Sequence, residues 1–253
     1  MVDITFDPSR CIRCGQCVRV CAMGHLRMTE DGPAASDRGG CMECYQCAAV
    51  CPRQAVLFGG VSPITDTPED WLERLVMSRR SIRRFKPEAP DRELIRWALQ
   101  RAGYAPSGKN QHANRWTVVY GPEKVRSIRD RALQHCRETG EAAELLRFAD
   151  KGLDLLTCGA PVLIIAWSPD DCLNPVVDPA IALETAELLL CSRGLGTCWG
   201  GYLRQITGHC PPLKDMLGIP ENCSMKACMF TGFPDGPVFR NIPTRPEPDI
   251  FWF

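Results

Sequence analysis

Cys11-Ile12-Arg13-Cys14-Gly15-Gln16-Cys17-Val18-Arg19-Val20-Cys21 returns thirty residues later as Cys41-Met42-Glu43-Cys44-Tyr45-Gln46-Cys47-Ala48-Ala49-Val50-Cys51. Both runs read C-x2-C-x2-C-x3-C, and Gln16 with Gln46 and Val20 with Val50 coincide as well. A repeat of this kind predicts two similar halves related by a pseudo-two-fold. The runs take eight of the chain's 16 cysteines; the other eight are scattered from Cys136 to Cys228. Residues Met1 to Pro8 lack the basic and apolar regions of an export signal, so a reducing, cytoplasmic compartment is expected. Clustered cysteines there are more often metal ligands than disulfides.

The spacing is that of bacterial ferredoxins, in which the fourth cysteine of each run ligates the other run's cluster. It assigns one [4Fe-4S] cluster to Cys11, Cys14, Cys17 and Cys51, and a second to Cys41, Cys44, Cys47 and Cys21. Three thiolates in one tight loop reach three irons of a cubane, and the fourth comes from the other half and ties the halves together. Sixty residues bury too little surface to be comfortable alone, and ligation can add the missing stability. Structural zinc usually takes paired C-x2-C elements across a longer gap, a poorer match to this pattern. Ala22 stands where the second half has Pro52, which removes no ligand.

The rest of the composition is ordinary. Of 253 residues, 45% are hydrophobic and 24% charged, with 30 Lys plus Arg against 30 Asp plus Glu. Disordered and fibrous classes are excluded. A balanced charge argues against a nucleic-acid or anionic-membrane binder, and no apolar run approaches the roughly 20 residues that span a bilayer. Residues 1–60 carry six Arg and six acids, so electrostatics offers no clue to an electron donor.

Residues 1–60 are therefore expected to form the iron–sulfur module, 61–68 a Gly/Pro-rich linker and 69–253 a second domain. A helix is expected from Thr67 as N-cap, with Trp71, Leu72, Leu75 and Val76 as its apolar stripe. Another should follow Pro90-Asp91, with further helices at 123–137, 141–157 and 179–193. Strands are expected at 116–120, 162–167 and 225–231. Few strands among many helices, without regular alternation, predict an α+β fold.

No dinucleotide fingerprint, P-loop, nucleophile elbow or zinc-protease motif is present. The densest charge is Arg79-Arg80-Ser81-Ile82-Arg83-Arg84-Phe85. Guanidinium forks beside a hydroxyl suit a phosphate monoester, while basic residues ending a helix are also common on purely electrostatic grounds.

That segment resembles the opening signature of the FMN-dependent nitroreductase family. Ala105-Pro106-Ser107-Gly108-Lys109-Asn110 resembles its second motif, Gly194-Leu195-Gly196-Thr197-Cys198-Trp199-Gly200-Gly201 its third, and Gly232-Phe233-Pro234 through Arg240 to Arg245 its closing phosphate-binding turn. The resemblance covers about residues 69–246, and the chain as a whole is similar to a subgroup with a two-cluster ferredoxin domain fused ahead. It implies a sheet flanked by helices, working as a homodimer with FMN at the interface. Arg79, Ser81 and Arg245 would hold the FMN phosphate, with Arg80 beside them and Arg240 a weaker candidate. Arg83 would lie near the pyrimidine edge of the flavin. Pro106, Ser107, Gly108 and Asn110 would contact flavin from the partner subunit, and Gly200 and Gly201 would let backbone approach the ring. His112-Ala113-Asn114 replaces the family's frequent Gln-Pro-Trp, which bears on substrate preference.

The resemblance implies no side-chain catalytic base. The expected activity is an oxidoreductase that passes electrons from a low-potential donor, ferredoxin or similar, through two [4Fe-4S] clusters to FMN and on to a nitroaromatic, quinone or activated alkene. An NAD(P)H-fed flavin reductase with clusters as outlet, and a redox-responsive binding protein, are the alternatives. The tail aromatics Phe251, Trp252 and Phe253 are expected to dock on the partner subunit or on the iron–sulfur module, with plain disorder of the last few residues as the alternative. The remaining cysteines read mostly as small buried hydrophobes.

Overall fold

The computed structural model describes residues 3–36 and 40–253. The chain divides into two compact units, Met1–Ser78 together with Gly236–Phe253, and Arg79–Asp235.

In the first unit, β1 (Ile4–Phe6) pairs antiparallel with β4 (Val56–Phe58), and β2 (Leu26–Thr29) with β3 (Gly32–Ala35). Helices α1 (Gln16–Val20) and α2 (Gln46–Val50) each begin just before the third cysteine of a run and stop at the fourth. The repeat is written in the backbone as well. Positive φ recurs at a spacing of thirty: Arg13 (54°) and Glu43 (52°), Gly15 (70°) and Tyr45 (57°), Gly24 (63°) and Gln54 (48°). Each ligand loop thus turns through the left-handed region at equivalent points, whether or not a glycine is there to ease it.

The halves differ in what covers them. Every residue of α2 is buried, whereas α1 buries only Cys17. The chain's last segment supplies the cover. Backbone N–H groups of Arg240 and Asn241 donate to the Ala49 carbonyl at 2.9 and 3.0 Å. The Asn241 side-chain amide donates to Ala48 O (3.2 Å) and Cys51 O (2.8 Å), carbonyls at the end of α2. β10 (Ile242–Pro243) then pairs with β5 (Ile64–Thr65). Residues 61–68, read from composition as a linker, therefore contain a strand of the first unit, and residues 236–253 join that unit rather than the second. The α3 helix (Trp71–Ser78) starts later than expected, because the Asp70 carboxylate accepts from the N–H groups of Leu72 and Glu73 (both 2.9 Å) and makes Asp70 the N-cap.

The second unit is α+β, the class expected. Its antiparallel sheet has the order β6 (Arg115–Tyr120), β7 (Val162–Pro169), β9 (Cys223–Gly232), β8 (Gly196–Trp199). The central strand β7 is an apolar run whose alternate side chains feed two cores. Val162, Ile164 and Ala166 pack with Ile95 and Ala98 of α4 (Arg92–Ala102) and Leu183 and Leu190 of α7 (Val177–Ser192). Leu163 and Ile165 pack with α5 (Pro122–Thr139), α6 (Ala143–Asp150), α8 (Gly201–His209) and α9 (Pro211–Met216) through Ile128, Leu145, Leu203 and Leu213. Each such buried leucine or isoleucine contributes about 2 kcal/mol. The expected helix 141–157 ends at Asp150: Gly152 enters the left-handed region at φ 74°, and the Asp154 carboxylate takes over the next backbone N–H groups. Among the described residues, no helix is long and apolar enough to cross a membrane.

Candidate cofactor sites

Two small cavities open in the first unit, of about 20 and 30 Å³. Cys11, Cys14, Cys17 and Cys51 line the smaller, and Cys21, Cys41, Cys44 and Cys47 the larger. These are the two crossed sets that the spacing specifies. Burial pushes the Cys17 thiol up to about 11, and its neighbours Cys51, Cys11 and Cys14 push the same way. Burial likewise raises Cys47 and Cys41, with Cys44 and Cys21 adding to both. Cys17, Cys41 and Cys47 thus resist ionisation unless a cation holds them, which is the chemistry of a metal-thiolate site.

Backbone donors complete each set. His25 N–H points at Cys21 Sγ (3.3 Å) and Ala55 N–H at Cys51 Sγ (3.2 Å), again thirty residues apart, while Glu43 N–H reaches Cys41 Sγ (3.3 Å). Such N–H···S bonds stabilise ligating thiolate and tune cluster potential. Zinc would need all four sulfurs within roughly 2.3 Å of one ion. Here the sulfurs surround a cavity, and among the described residues no trio of His, Cys, Asp or Glu is placed to hold a single ion. The donor sets fit cubanes.

In the second unit the segment Arg79–Phe85 lies along β8. Ser81 bridges Thr197 in parallel, Ile82 N–H donates to Thr197 O (2.7 Å), and Phe85 bridges Pro234. The first and third motifs and the start of the closing one are thereby brought side by side. Gly196 makes the approach possible, since a Cβ there would meet Ile82 carbons at 2.8–2.9 Å. Arg80 is buried and donates to the Arg79 carbonyl (2.7 Å), and Arg83 donates to Ser81 O (3.5 Å).

Arg79 itself meets a residue that sequence reasoning passed over. Its Nη1 lies 3.2 Å from Oε1 of Glu187, a carboxylate on α7 only 1% exposed. Thr197 Oγ1 donates to the same oxygen (2.7 Å) and Trp199 Nε1 to the other (2.6 Å). One turn earlier, burial and the adjoining Glu187 push the Glu184 carboxyl up to about 7, against the opposing Arg79 charge. The available signal was two acids, Glu184 and Glu187, in the middle of a mostly apolar helix.

The second motif packs elsewhere in the unit. Gly108 N–H donates to Asp178 Oδ2 on α7 (2.9 Å), and a Cβ on Gly108 would collide with Asn174 and Leu173. Lys109, Asn110 and His112 all have positive φ, and His112 Nε2 lies 2.8 Å from Asn110 Oδ1. Ser107 Oγ accepts from His112 N–H (3.1 Å); Pro106 and Asn110 are exposed. Gly200 and Gly201 part company. A Cβ at Gly200 would meet Phe230 and Cys228 within 3.0 Å, so that glycine serves packing on β9; at Gly201 the same direction is open. Arg245 and Arg240 belong to the first unit, where Arg245 stands 6.0 Å from the Tyr45 ring and Arg240 reaches Gln16 Oε1 (3.4 Å). A groove along the outer edge of β6, lined by Ile95, Leu99, Trp116, Tyr120 and Met216, contains none of the expected flavin residues.

The comparisons agree with this division. A family model for nitroreductases matches residues 76–233, and one for 4Fe-4S dicluster domains matches residues 3–52. No curated protein matches the chain by sequence. Among solved structures, a nitroreductase with bound FMN from Desulfitobacterium hafniense is 24% identical, with 74% of this chain and 99% of that one covered at a TM-score of 0.62. A nitroreductase with bound FMN from Bacteroides fragilis is 21% identical, covering 73% and 99% at 0.62. An FMN-dependent nitroreductase from Clostridium difficile is 20% identical, covering 73% and 100% at 0.56.

Proposed function

The chain belongs to the nitroreductase family, and from that premise we propose that it is an iron–sulfur flavoprotein oxidoreductase, fed by a low-potential donor such as ferredoxin and reducing a nitroaromatic, quinone or activated alkene. The observation that carries the reading is the pair of four-thiol cavities in the same chain as a nitroreductase domain. Its cofactors are FMN and two [4Fe-4S] clusters. When bound, the clusters carry electrons singly and the flavin gathers them in pairs for delivery to an acceptor.

The protein's part is to hold and tune these groups. Arg79 and Ser81, with Arg80 behind them, supply the cation and hydroxyl that a phosphate monoester needs. Glu187 orients Arg79 and lowers its entropic cost of ordering. Arg83 supplies positive charge on the same segment, suited to the electron-rich edge of a reduced flavin. Pro106, Ser107, Gly108 and Asn110, largely on the surface, are proposed to act across a homodimer interface. The open side of Gly201 leaves room for a planar ring where any larger residue would intrude. Clustered thiols of this kind suit a reducing compartment, which supports a cytoplasmic protein on this reading.

Analysis of anaerobically purified protein for iron, sulfide and flavin tests the reading: about eight irons and one FMN per chain are expected. Zinc in place of iron, or no flavin, overturns it. Anaerobic mixing of dithionite-reduced protein with a nitroaromatic should restore cluster and flavin absorbance faster than buffer does. Faster flavin reduction by NADPH than by reduced ferredoxin would reassign the donor.

A further inference from the structure

Counted over residues 1–60 the arginines and acids cancel, but the fold does not mix them evenly. The two four-thiol cavities occupy equivalent halves of the repeat, so residues thirty apart hold equivalent places. Arg13 of the first loop answers to Glu43 of the second, Arg53 to Met23, and Ile12 to Met42. Arg13 and Arg53 line the cavity of Cys11, Cys14, Cys17 and Cys51, and among the described residues no acid does. The wall of the other cavity contains neither arginine nor acid among those residues.

Two more arginines stand at the first mouth. Arg10 Nε donates to the Arg53 carbonyl (3.1 Å), and Arg240 Nη1 donates to Oε1 of Gln16, a residue of the same cavity wall (3.4 Å). Arg13 Nη1 donates to the Glu30 carbonyl (3.0 Å). These bonds fix guanidinium groups through neutral acceptors and leave their charge in place. Asp7 adjoins Arg10, but its carboxylate accepts from the Ser9 hydroxyl (2.6 Å) and N–H (2.9 Å). The same mouth is the open one. Of the eight thiols in the two runs Cys14 alone is exposed, and Ile12, two residues before it, is 59% exposed. Helix α1 buries only Cys17, whereas α2 is buried along its whole length. An apolar residue and a thiol among guanidinium groups have the composition of a small, transient, charge-steered interface.

We propose that this mouth is the docking face for the electron donor, and that the donor is a small acidic redox protein. Its carboxylates seat against Arg10, Arg13, Arg53 and Arg240, around a contact centred on Ile12 and Cys14. The inference rests on the iron–sulfur reading above and specifies which of the two cavities faces the donor. The second loop, with Glu43 in the place of Arg13, repels the same partner, so charge selects between two halves that are otherwise alike.

The test measures binding, apart from turnover. An acidic two-[4Fe-4S] ferredoxin is titrated calorimetrically into the full chain, purified anaerobically. Raising the salt from about 20 to about 200 mM shortens the screening length and should weaken binding roughly tenfold. At the lower salt Arg13→Glu and Arg53→Glu should each raise Kd roughly tenfold, while Glu43→Gln should leave it unchanged. Iron should stay at about eight per chain in all three variants. A Kd indifferent to both arginine substitutions, binding that ignores salt, or binding weakened by Glu43→Gln would each overturn the docking face. So would the absence of binding by wild-type protein that holds its iron, and in that case the iron–sulfur reading stands. Protein without iron overturns both. If Arg13→Glu does not take up iron, Arg53→Glu decides by itself.

Discussion

The indole N–H of Trp199 donates to Oε2 of Glu187 at 2.6 Å, joining β8 to α7 through a carboxylate that water does not reach. Because Oε1 of the same group takes Thr197 and Arg79, one buried anion fastens two of the segments assigned to flavin. Glu187→Gln keeps the shape but removes the charge opposite Arg79 and replaces one acceptor with a donor. Breaking a buried pair in this way costs about 3 kcal/mol. Urea unfolding should show that loss with an unchanged slope, whereas Trp199→Phe, losing one bond, should cost about 1.5 kcal/mol.

Glu184 makes the same region pH-sensitive. Its folded carboxyl titrates at about 7 against an ordinary 4.5, so between these values the native state binds a proton that the unfolded chain does not. Its stabilising contribution is present in full below pH 4.5 and is lost as pH rises through about 7. Thermal midpoints across this window should fall less steeply in Glu184→Gln than in the parent. A parallel pair of curves would refute the assignment.

Cluster ligation can be dissected by its crossing. Cys21 lies in the first run but lines the cavity of the second. Cys21→Ser should therefore remove the cluster held by Cys41, Cys44 and Cys47, leaving about four irons per chain. Adding Cys11→Ser should then abolish the rest. Loss of the Cys11, Cys14, Cys17 cluster from the single variant would disprove the crossed arrangement.

The two adjacent glycines should respond differently. Gly200→Ala places a methyl against Phe230 and Cys228, and overpacking of that kind costs about 2 kcal/mol. Gly201→Ala meets no protein atom nearby and should leave unfolding unchanged while weakening retention of FMN, read by flavin fluorescence after gel filtration.

The tail carries an exposed apolar cluster: Ile250, Phe251, Trp252 and Phe253 are 62–118% exposed, so none docks on the first unit that contains them. A second copy of the chain is the remaining surface of the two expected. Deleting residues 249–253 should weaken the proposed homodimer in sedimentation velocity; an unaltered association constant would dismiss that role.

Sequence was most informative where structure is local. Each cysteine loop closes within a few residues, so spacing alone singled out the thiols that line the two cavities. The apolar stripe of 141–157 misled because Leu153 and Leu156 continue its period after Gly152 has turned the chain. What escaped notice depended on distant partners. β5 exists only because residues 242–243 return to pair with it, and Glu187 is buried only because Arg79, Thr197 and Trp199 converge on it. No window of neighbouring residues contains either fact.

The return of Asn241 and β10 to the first unit also sets an order of manufacture. A ribosome delivers the cluster-bearing half first, yet the strand that closes it emerges only after every residue of the second unit has been made. Of the two units, the iron–sulfur module is thus begun before the other and completed after it, and severing the chain after Ser78 would release an unfinished module, not an autonomous ferredoxin.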